Sequence, residues 1–162
     1  MKLLLYAGLI FLLVPIQTTI LHSLSPFGIR PDLCLVAACL IGFWTGHVEG
    51  GAMGGLLGFV QDLFSGGTLW LNTVTKALVG FSMGVLIKHF ANLTSQWIFF
   101  PVVIFSLISG MVFLVFARGA IELIGVVQHL SIMLVPQALL DGMLAVVANW
   151  ALTRRIAQTD KL

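Results

Sequence analysis

The sequence predicts an all-helical membrane protein in which residues 1–162 form a single domain, a bundle of six transmembrane helices. Hydrophobic residues make up 59% of the chain and charged residues only 9%, and the mean hydropathy is +1.10. A soluble domain of this size would need more charge to solvate its surface. Apolar runs of membrane-spanning length recur along the chain. Glycines also recur at every fourth residue, a spacing that lets helices approach closely in lipid.

The first helix is expected over residues 3–21, an apolar run of membrane-spanning length that follows an N-terminal lysine. A signal peptide also starts with a positive residue. This run is too long for a signal core and has no small-x-small cleavage site, which favours a retained helix. Pro15 predicts a kink, and the carbonyls that it frees would accept hydrogen bonds from Gln17, Thr18 and Thr19.

A turn-rich loop over residues 22–30 precedes the second helix, which is expected over residues 32–48. Proline suits the first helical position because it has no N–H to leave unpaired, and Pro31 stands there. An early acidic residue favours the positive end of the helix dipole, and Asp32 follows at once. These two residues therefore predict the start of the helix.

Glycines dominate the stretch that joins the second helix to the third. Five of them follow one another at four-residue spacing, and a further pair at the same spacing lies in the fourth helix. The row and the pair are Gly42, Gly46, Gly50, Gly54 and Gly58, and Gly80 and Gly84. Such a spacing aligns small residues on one helix face. Each glycine inside a helix costs about 1 kcal/mol relative to alanine in water, whereas in lipid it lets two backbones touch. We interpret this row as a helix-packing or partner interface, with the third helix over residues 49–65.

Three further helices are expected over residues 69–87, 97–117 and 131–152. Residues 118–130 are too few to span a bilayer, and their amphipathic pattern predicts a helix in the membrane interface. The positive-inside rule then sets the orientation. Six crossings with both termini in the cytoplasm place most basic residues inside, namely Lys2, Lys88, Arg154, Arg155 and Lys161, and leave Arg30 and Arg118 outside.

Lys76 lies about two turns inside the fourth helix, where an unpaired ammonium is costly. Asp62, near the end of the third helix, is its expected partner, and Asp141 in the sixth helix is the alternative. Extension of Lys76 to the outer surface is a third arrangement. The resulting intramembrane polar network either lines an ion or substrate pathway or fixes helix packing. Interhelical hydrogen bonds are expected from the remaining polar residues at this depth, Gln61, Asn72, Thr73, Thr75, Gln137 and Asn149.

The sequence predicts no catalytic, cofactor or metal site. Two of the four histidines fall on each face of the membrane, HExxH is absent, and no serine has a base beside it. The net charge of +2 is too small for a nucleic-acid surface. Cys34 and Cys39, five residues apart on one helix, cannot form a normal disulfide and are expected to be packing residues.

Two short motifs stand at the ends of the second and third helices. The first is Arg30-Pro31-Asp32-Leu33, and the second is GGLLGFVQDLFSGGTLW over residues 54–70. In these motifs the chain resembles the bacterial rod-shape-determining MreD family, which it also matches in size and layout. The matching residues are Pro31, Asp32, Gly54, Gly58, Asp62 and Gly66. The chain departs from the family at Trp70, where members often have glycine.

The resemblance implies a multi-pass component of the bacterial inner membrane that belongs to the cell-elongation machinery, where cell shape and peptidoglycan synthesis are regulated. Its partners by resemblance are MreC, the actin-like MreB, and RodA with its class B penicillin-binding partner. The family's fold is similar to that of the S subunits of energy-coupling-factor transporters. We therefore expect a non-enzymatic scaffold that binds the transmembrane helix of MreC through small-residue helix faces.

The alternative hypothesis is a solute-binding S-type subunit of a membrane transporter. This function requires a closed polar pocket near the outer surface with a vitamin-like molecule bound. The side chains expected to line it are Gln61, Asp62, Asn72, Lys76 and Asp141.

Overall fold

The computed structural model describes residues 8, 12–17, 29–65, 70–89, 95–118 and 130–159. Within these ranges the regular structure is helical, with no β-strand. Beyond the helical residues 12–17 the α-helices are α1 (Leu33–Thr45), α2 (His47–Ser65), α3 (Leu71–His89), α4 (Phe99–Arg118) and α5 (Val135–Thr159). A 3₁₀ turn, Ser95–Ile98, precedes α4, and a π-helical turn, Leu130–Leu134, precedes α5. The expected interfacial helix, except for its two end residues, and Gly66 lie outside the described residues.

Helix α1 is shorter than the sequence predicts, with 13 residues. Asp32 caps its start, since the carboxylate accepts a hydrogen bond from the Leu35 amide at 3.0 Å. Pro31 therefore lies before the cap and does not occupy the first helical position. The helix ends at Thr45 because Gly46 adopts a φ of 95°, a left-handed conformation that terminates helices.

Helix α5 is longer than the sequence predicts, with 25 residues. The expected end at residue 152 marks the point where the apolar pattern stops. The chain continues as a helix to Thr159 because arginine, alanine and glutamine are good helix formers even without an apolar face to bury.

Helices α1, α2 and α3 pack with their backbones in close contact. A Cβ atom added at Gly42 would collide with the carbonyl oxygen of Gly80, and one added at Gly50 would meet the same oxygen. At Gly84 it would meet the backbone of His47. The described glycine row, with the exception of Gly46, thus faces other helices of the same chain, as a packing interface requires. Gly46 forms the turn between α1 and α2, and a Cβ added there would meet no atom within 4 Å, so its expected place in the interface is wrong.

Helices α4 and α5 form a second pair, in which Gly142 of α5 lies against the side chains of Phe99 and Val103 of α4. The main hydrophobic cluster joins this pair to α1 and α3. It contains Leu35, Val36, Cys39, Leu40, Val79, Met83, Ile98, Val102 and Ala145. Cys34 packs in a second cluster with Val14, Ala37 and Leu57. Both cysteines are free thiols buried in cores, where the sequence places them.

The polarity of the described bundle is the inverse of that of a soluble protein. The side chains of Lys76 and Asp141 are fully buried. Large apolar side chains cover the outside instead, and Phe64, for example, is 65% exposed. Two segments, Phe99–Phe116 and Ile132–Arg154, are long and apolar enough to cross a membrane. The exposed apolar surface and these two segments indicate association with a membrane.

Candidate functional site

Lys76 occupies the centre of a polar network inside the bundle. Its ammonium forms an ion pair with the Asp32 carboxylate at an N–O distance of 2.8 Å. It also donates a hydrogen bond to the side-chain oxygen of Asn72, one turn earlier on α3, at 2.8 Å. The sequence-based expectation that Asp62 or Asp141 is its ion-pair partner is therefore wrong, and the partner is the residue that caps α1.

The length of α1 explains this exchange of partners. With 13 residues at about 1.5 Å each, α1 is roughly 9 Å shorter than the 19-residue helices α2 and α3. Because α1 and α2 meet at Gly46, the other end of α1 lies within the bundle instead of at its surface. Asp32 consequently reaches the level of Lys76, about one and a half turns into α3. From the sequence, the depth of a residue is known only relative to the expected ends of its helix, so the sequence does not reveal that α1 starts within the bundle.

Asp62 instead caps the start of α3 from the neighbouring helix α2. One carboxylate oxygen accepts hydrogen bonds from the backbone and side-chain amides of Asn72, at 3.2 and 2.8 Å. The other accepts from the backbone N–H and hydroxyl of Thr73, at 2.9 and 2.7 Å. Among the described residues, Asn72 therefore links Asp62 to Lys76. The carboxylate sits at the positive end of a helix dipole, which favours its charge.

Asp141 links α5 to α1 and α4. It is fully buried, and one of its oxygens accepts a hydrogen bond from the backbone N–H of Asp32 at 2.7 Å. The second lies 2.6 Å from the Ser106 hydroxyl of α4. Asp141 therefore belongs to the network through the amide of Asp32 and not as the direct counter-charge of Lys76.

Gln17 adds the N-terminal helical residues to the same network. Its amide nitrogen donates to the Asp32 carboxylate at 2.9 Å, and its amide oxygen accepts from the Cys34 N–H at 3.0 Å. The sequence assigned Gln17 to carbonyls freed by Pro15, whereas both of these bonds stabilise the start of α1. Sequence reasoning missed the roles of Gln17 and Ser106. For Asp32, the sequence carried two signals, its position at the start of a helix and its place in one of the two motifs.

The two motifs that the sequence analysis singled out converge on the first turns of α3. Gly54 lies against the carbonyl of Lys76, and Gly58 lies against the carbonyl of Asn72, so that a Cβ at either position would overlap the α3 backbone. Asp32 and Asp62 bind the side chains of those same two α3 residues. These residues of the two motifs, at the start of α1 and on α2, therefore form one packing site around α3.

A second polar contact joins α1 to α5 nearer their C-terminal ends. The indole N–H of Trp44 donates to the side-chain oxygen of Asn149 at 2.9 Å, which is the interhelical type of bond that the sequence predicts for Asn149. Thr75 differs, because its hydroxyl donates within α3 to the Leu71 carbonyl at 2.7 Å. The buried side-chain oxygen of Gln61 has no hydrogen-bond partner in the described part of the chain.

The polar residues expected to line a ligand pocket largely bind one another. Lys76, Asn72 and Asp62 form a continuous chain of hydrogen bonds. A cavity of about 200 Å³ lies elsewhere, between α3 and α4. Its walls are Thr75, Leu78, Val79, Ser82, Phe105, Ile108, Ser109 and Val112. This cavity is lined mostly by apolar side chains.

In the described part of the chain, no group of three or more histidine, cysteine or acidic side chains is arranged to bind a metal ion. The described histidines lie apart, with His47 against the ring of Phe81 and His89 near the Val85 carbonyl. Comparison with protein-family models, curated proteins and solved structures finds no match to this chain. The observed chemistry of the network is an ion pair and carboxylate-capped helix starts.

Proposed function

We propose that the chain is a non-enzymatic scaffold of the bacterial cell-elongation machinery, with the MreD-like role that its motifs imply. The observation that carries this proposal is the convergence of both motifs on α3. Asp32 and Asp62 bind groups of the same chain, and Gly54 and Gly58 let α2 contact the α3 backbone. These residues hold the helices of the bundle together, and a scaffold requires such a stable bundle.

We propose six crossings of the inner membrane with both termini in the cytoplasm. The outward faces of α2 and α3 support this, since Phe59, Leu63 and Leu78 are at least 40% exposed, and lipid would cover them. An exposed tryptophan and an arginine near the C-terminal end of α5 support its placement at the cytoplasmic surface, and the Arg154 guanidinium lies 3.9 Å from the centre of the Trp150 ring.

The docking surface for MreC must lie somewhere other than the glycine-lined faces of α1, α2 and α3. Those faces contact helices of the same chain, so a partner helix has no access to them. We place the MreC transmembrane helix at the open cavity between α3 and α4. Ser82 and Ser109 stand on its opposite walls, and neither hydroxyl has a hydrogen-bond partner among the described residues. A helix with a polar side chain supplies such a partner in lipid, where an acyl chain cannot.

Substitution of the cavity serines tests this docking surface. Ser82→Leu or Ser109→Leu fills the cavity and removes a hydroxyl, so we expect roughly tenfold weaker binding or worse. Co-purification of MreC with each variant from gently solubilised membranes measures the effect. Ala52→Leu is the matched control, because Ala52 is an exposed small residue on α2, away from the cavity. MreC recovery equal to that of the unsubstituted protein in both serine variants contradicts the docking surface.

A further inference from the structure

Asp141 is a second acidic side chain beside an ion pair that is already complete. The ammonium of Lys76 binds Asp32 at 2.8 Å. Within the described ranges, the two groups that form hydrogen bonds with Asp141 are a backbone N–H and a serine hydroxyl, both uncharged. An ionised Asp141 would therefore place a second negative charge, itself fully buried, next to Asp32.

Such an arrangement favours the neutral form of the carboxyl group. Removing a charge from water without pairing it carries a large desolvation penalty, and a neighbouring like charge adds to it. Among the described residues, the titratable groups near Asp141 are Asp32 and Cys39 on α1 and Lys76 on α3. Helix α4 presents the uncharged Ser106.

We propose that Asp141 is a proton-binding site and that its carboxyl group is neutral at neutral pH. The proton lies on the oxygen that faces Ser106, where the 2.6 Å separation suits an O–H···O hydrogen bond. The other oxygen still accepts the Asp32 N–H. The bound proton thus lets α5 pack against α1 and α4 without a counter-ion.

Release of this proton would weaken the packing of α5. The new carboxylate would repel Asp32 across one hydrogen bond, and the Ser106 hydroxyl, which accepts from the neutral acid, would turn to donate to it. The site therefore makes the contact of α5 with α1 sensitive to proton activity. This inference rests on the network's geometry, whichever partner the scaffold binds.

Infrared spectroscopy and thermal unfolding of the purified full-length protein test the site. A protonated carboxylic acid has a carbonyl stretching band that an ionised carboxylate lacks. We expect this band at neutral pH and its loss in Asp141→Asn. Asparagine matches the neutral acid in shape, so the variant's Tm should stay within about 3 °C of that of the unsubstituted protein.

Asp32→Asn is the matched contrast, because it removes the charge that pairs with Lys76 and should lower the Tm by more than Asp141→Asn does. Equal losses of Tm in both variants, with the infrared band unchanged in Asp141→Asn, overturn the proposal. A Tm that rises with sodium concentration at fixed pH also overturns it, since the occupant would then be a metal cation. If Asp141→Asn does not fold, absence of the band from the unsubstituted protein at neutral pH is sufficient to overturn it.

Discussion

At the scale of single residues, Lys76 shows how a charge is accommodated at membrane depth. Its ammonium has a carboxylate at 2.8 Å and an amide oxygen at the same distance. Burial of such a pair adds little net stability, but removal of one member typically costs about 3–5 kcal/mol, because the other charge remains without a partner. Asp32 is therefore needed to pair the buried positive charge of Lys76. Their pairing fixes the position of α1 relative to α3.

Trp70 is a residue whose backbone conformation conflicts with its side chain. It adopts a φ of 82°, a left-handed conformation that costs a residue other than glycine about 1–2 kcal/mol. The ring is 62% exposed, and its centre lies 6.1 Å from that of Phe59. The sequence drew attention to this position, since the resembled family often has glycine there. The φ angle supplies a physical reason for that preference.

We expect Trp70→Gly to be more stable than Trp70→Ala by about 1 kcal/mol, because both lose the ring but only glycine relieves the backbone. Thermal unfolding of both variants in one detergent measures the difference. Phe59 provides the control, as it lies in the middle of α2. There the order reverses, and Phe59→Ala should be about 1 kcal/mol more stable than Phe59→Gly. Equal stability of the two Trp70 variants would rule out strain at this position.

At the scale of helices, the sequence located most of the described elements because apolar length and glycine spacing are local properties. Helix α3 lies within two residues of its expected bounds at each end. The errors at α1 and α5 have local causes, a left-handed glycine and a polar run that continues as a helix. The partners of Lys76 and Asp141 could not be found in this way. They depend on how deep one helix starts relative to another, which is a property of the packed bundle.

The glycine row of α2 offers a paired test of helix contact. Gly54 faces the α3 backbone at Lys76, whereas Gly55, the next residue, faces open space apart from the Ala77 side chain, 3.5 Å from where its Cβ would lie. Gly54→Ala should therefore destabilise the protein by about 1–3 kcal/mol, the usual cost of overpacking. Gly55→Ala should be neutral or stabilise by up to about 1 kcal/mol, because alanine favours helix.

Thermal unfolding and gel filtration of the two variants distinguish these outcomes. The unsubstituted protein and both variants share composition to within one methyl group, so a difference between them reports the position of that group. Unchanged stability of Gly54→Ala would show that α2 and α3 do not approach through this row.

At the scale of the whole molecule, α5 contacts α1 at two separate levels. The Asp32 amide binds Asp141 near the start of α1, and the Trp44 indole binds Asn149 near its end. The residue that comes earlier at α1 binds the earlier residue of α5, and the later residue binds the later one. Helices α1 and α5 therefore run in the same direction. Six crossings satisfy this geometry, because the second and sixth helices of such a bundle cross the membrane in the same sense. The proposed topology and the hydrogen bonds thus agree.

The two ends of α3 give this topology a direct test. Lys88 and Trp70 are both exposed and lie at opposite ends of the helix, and six crossings place Lys88 in the cytoplasm and Trp70 outside. A membrane-impermeant maleimide added to spheroplasts should label Trp70→Cys at once and Lys88→Cys only after permeabilisation. The native thiols of Cys34 and Cys39 are buried, so the unsubstituted protein should give a low background under both conditions. Labelling of both variants from the same side would show that α3 does not cross the membrane. The positive-inside assignment would then fail, because Lys88 and Arg154, which the crossings of α4 and α5 keep on one face, would no longer lie on the face assigned to the N-terminus.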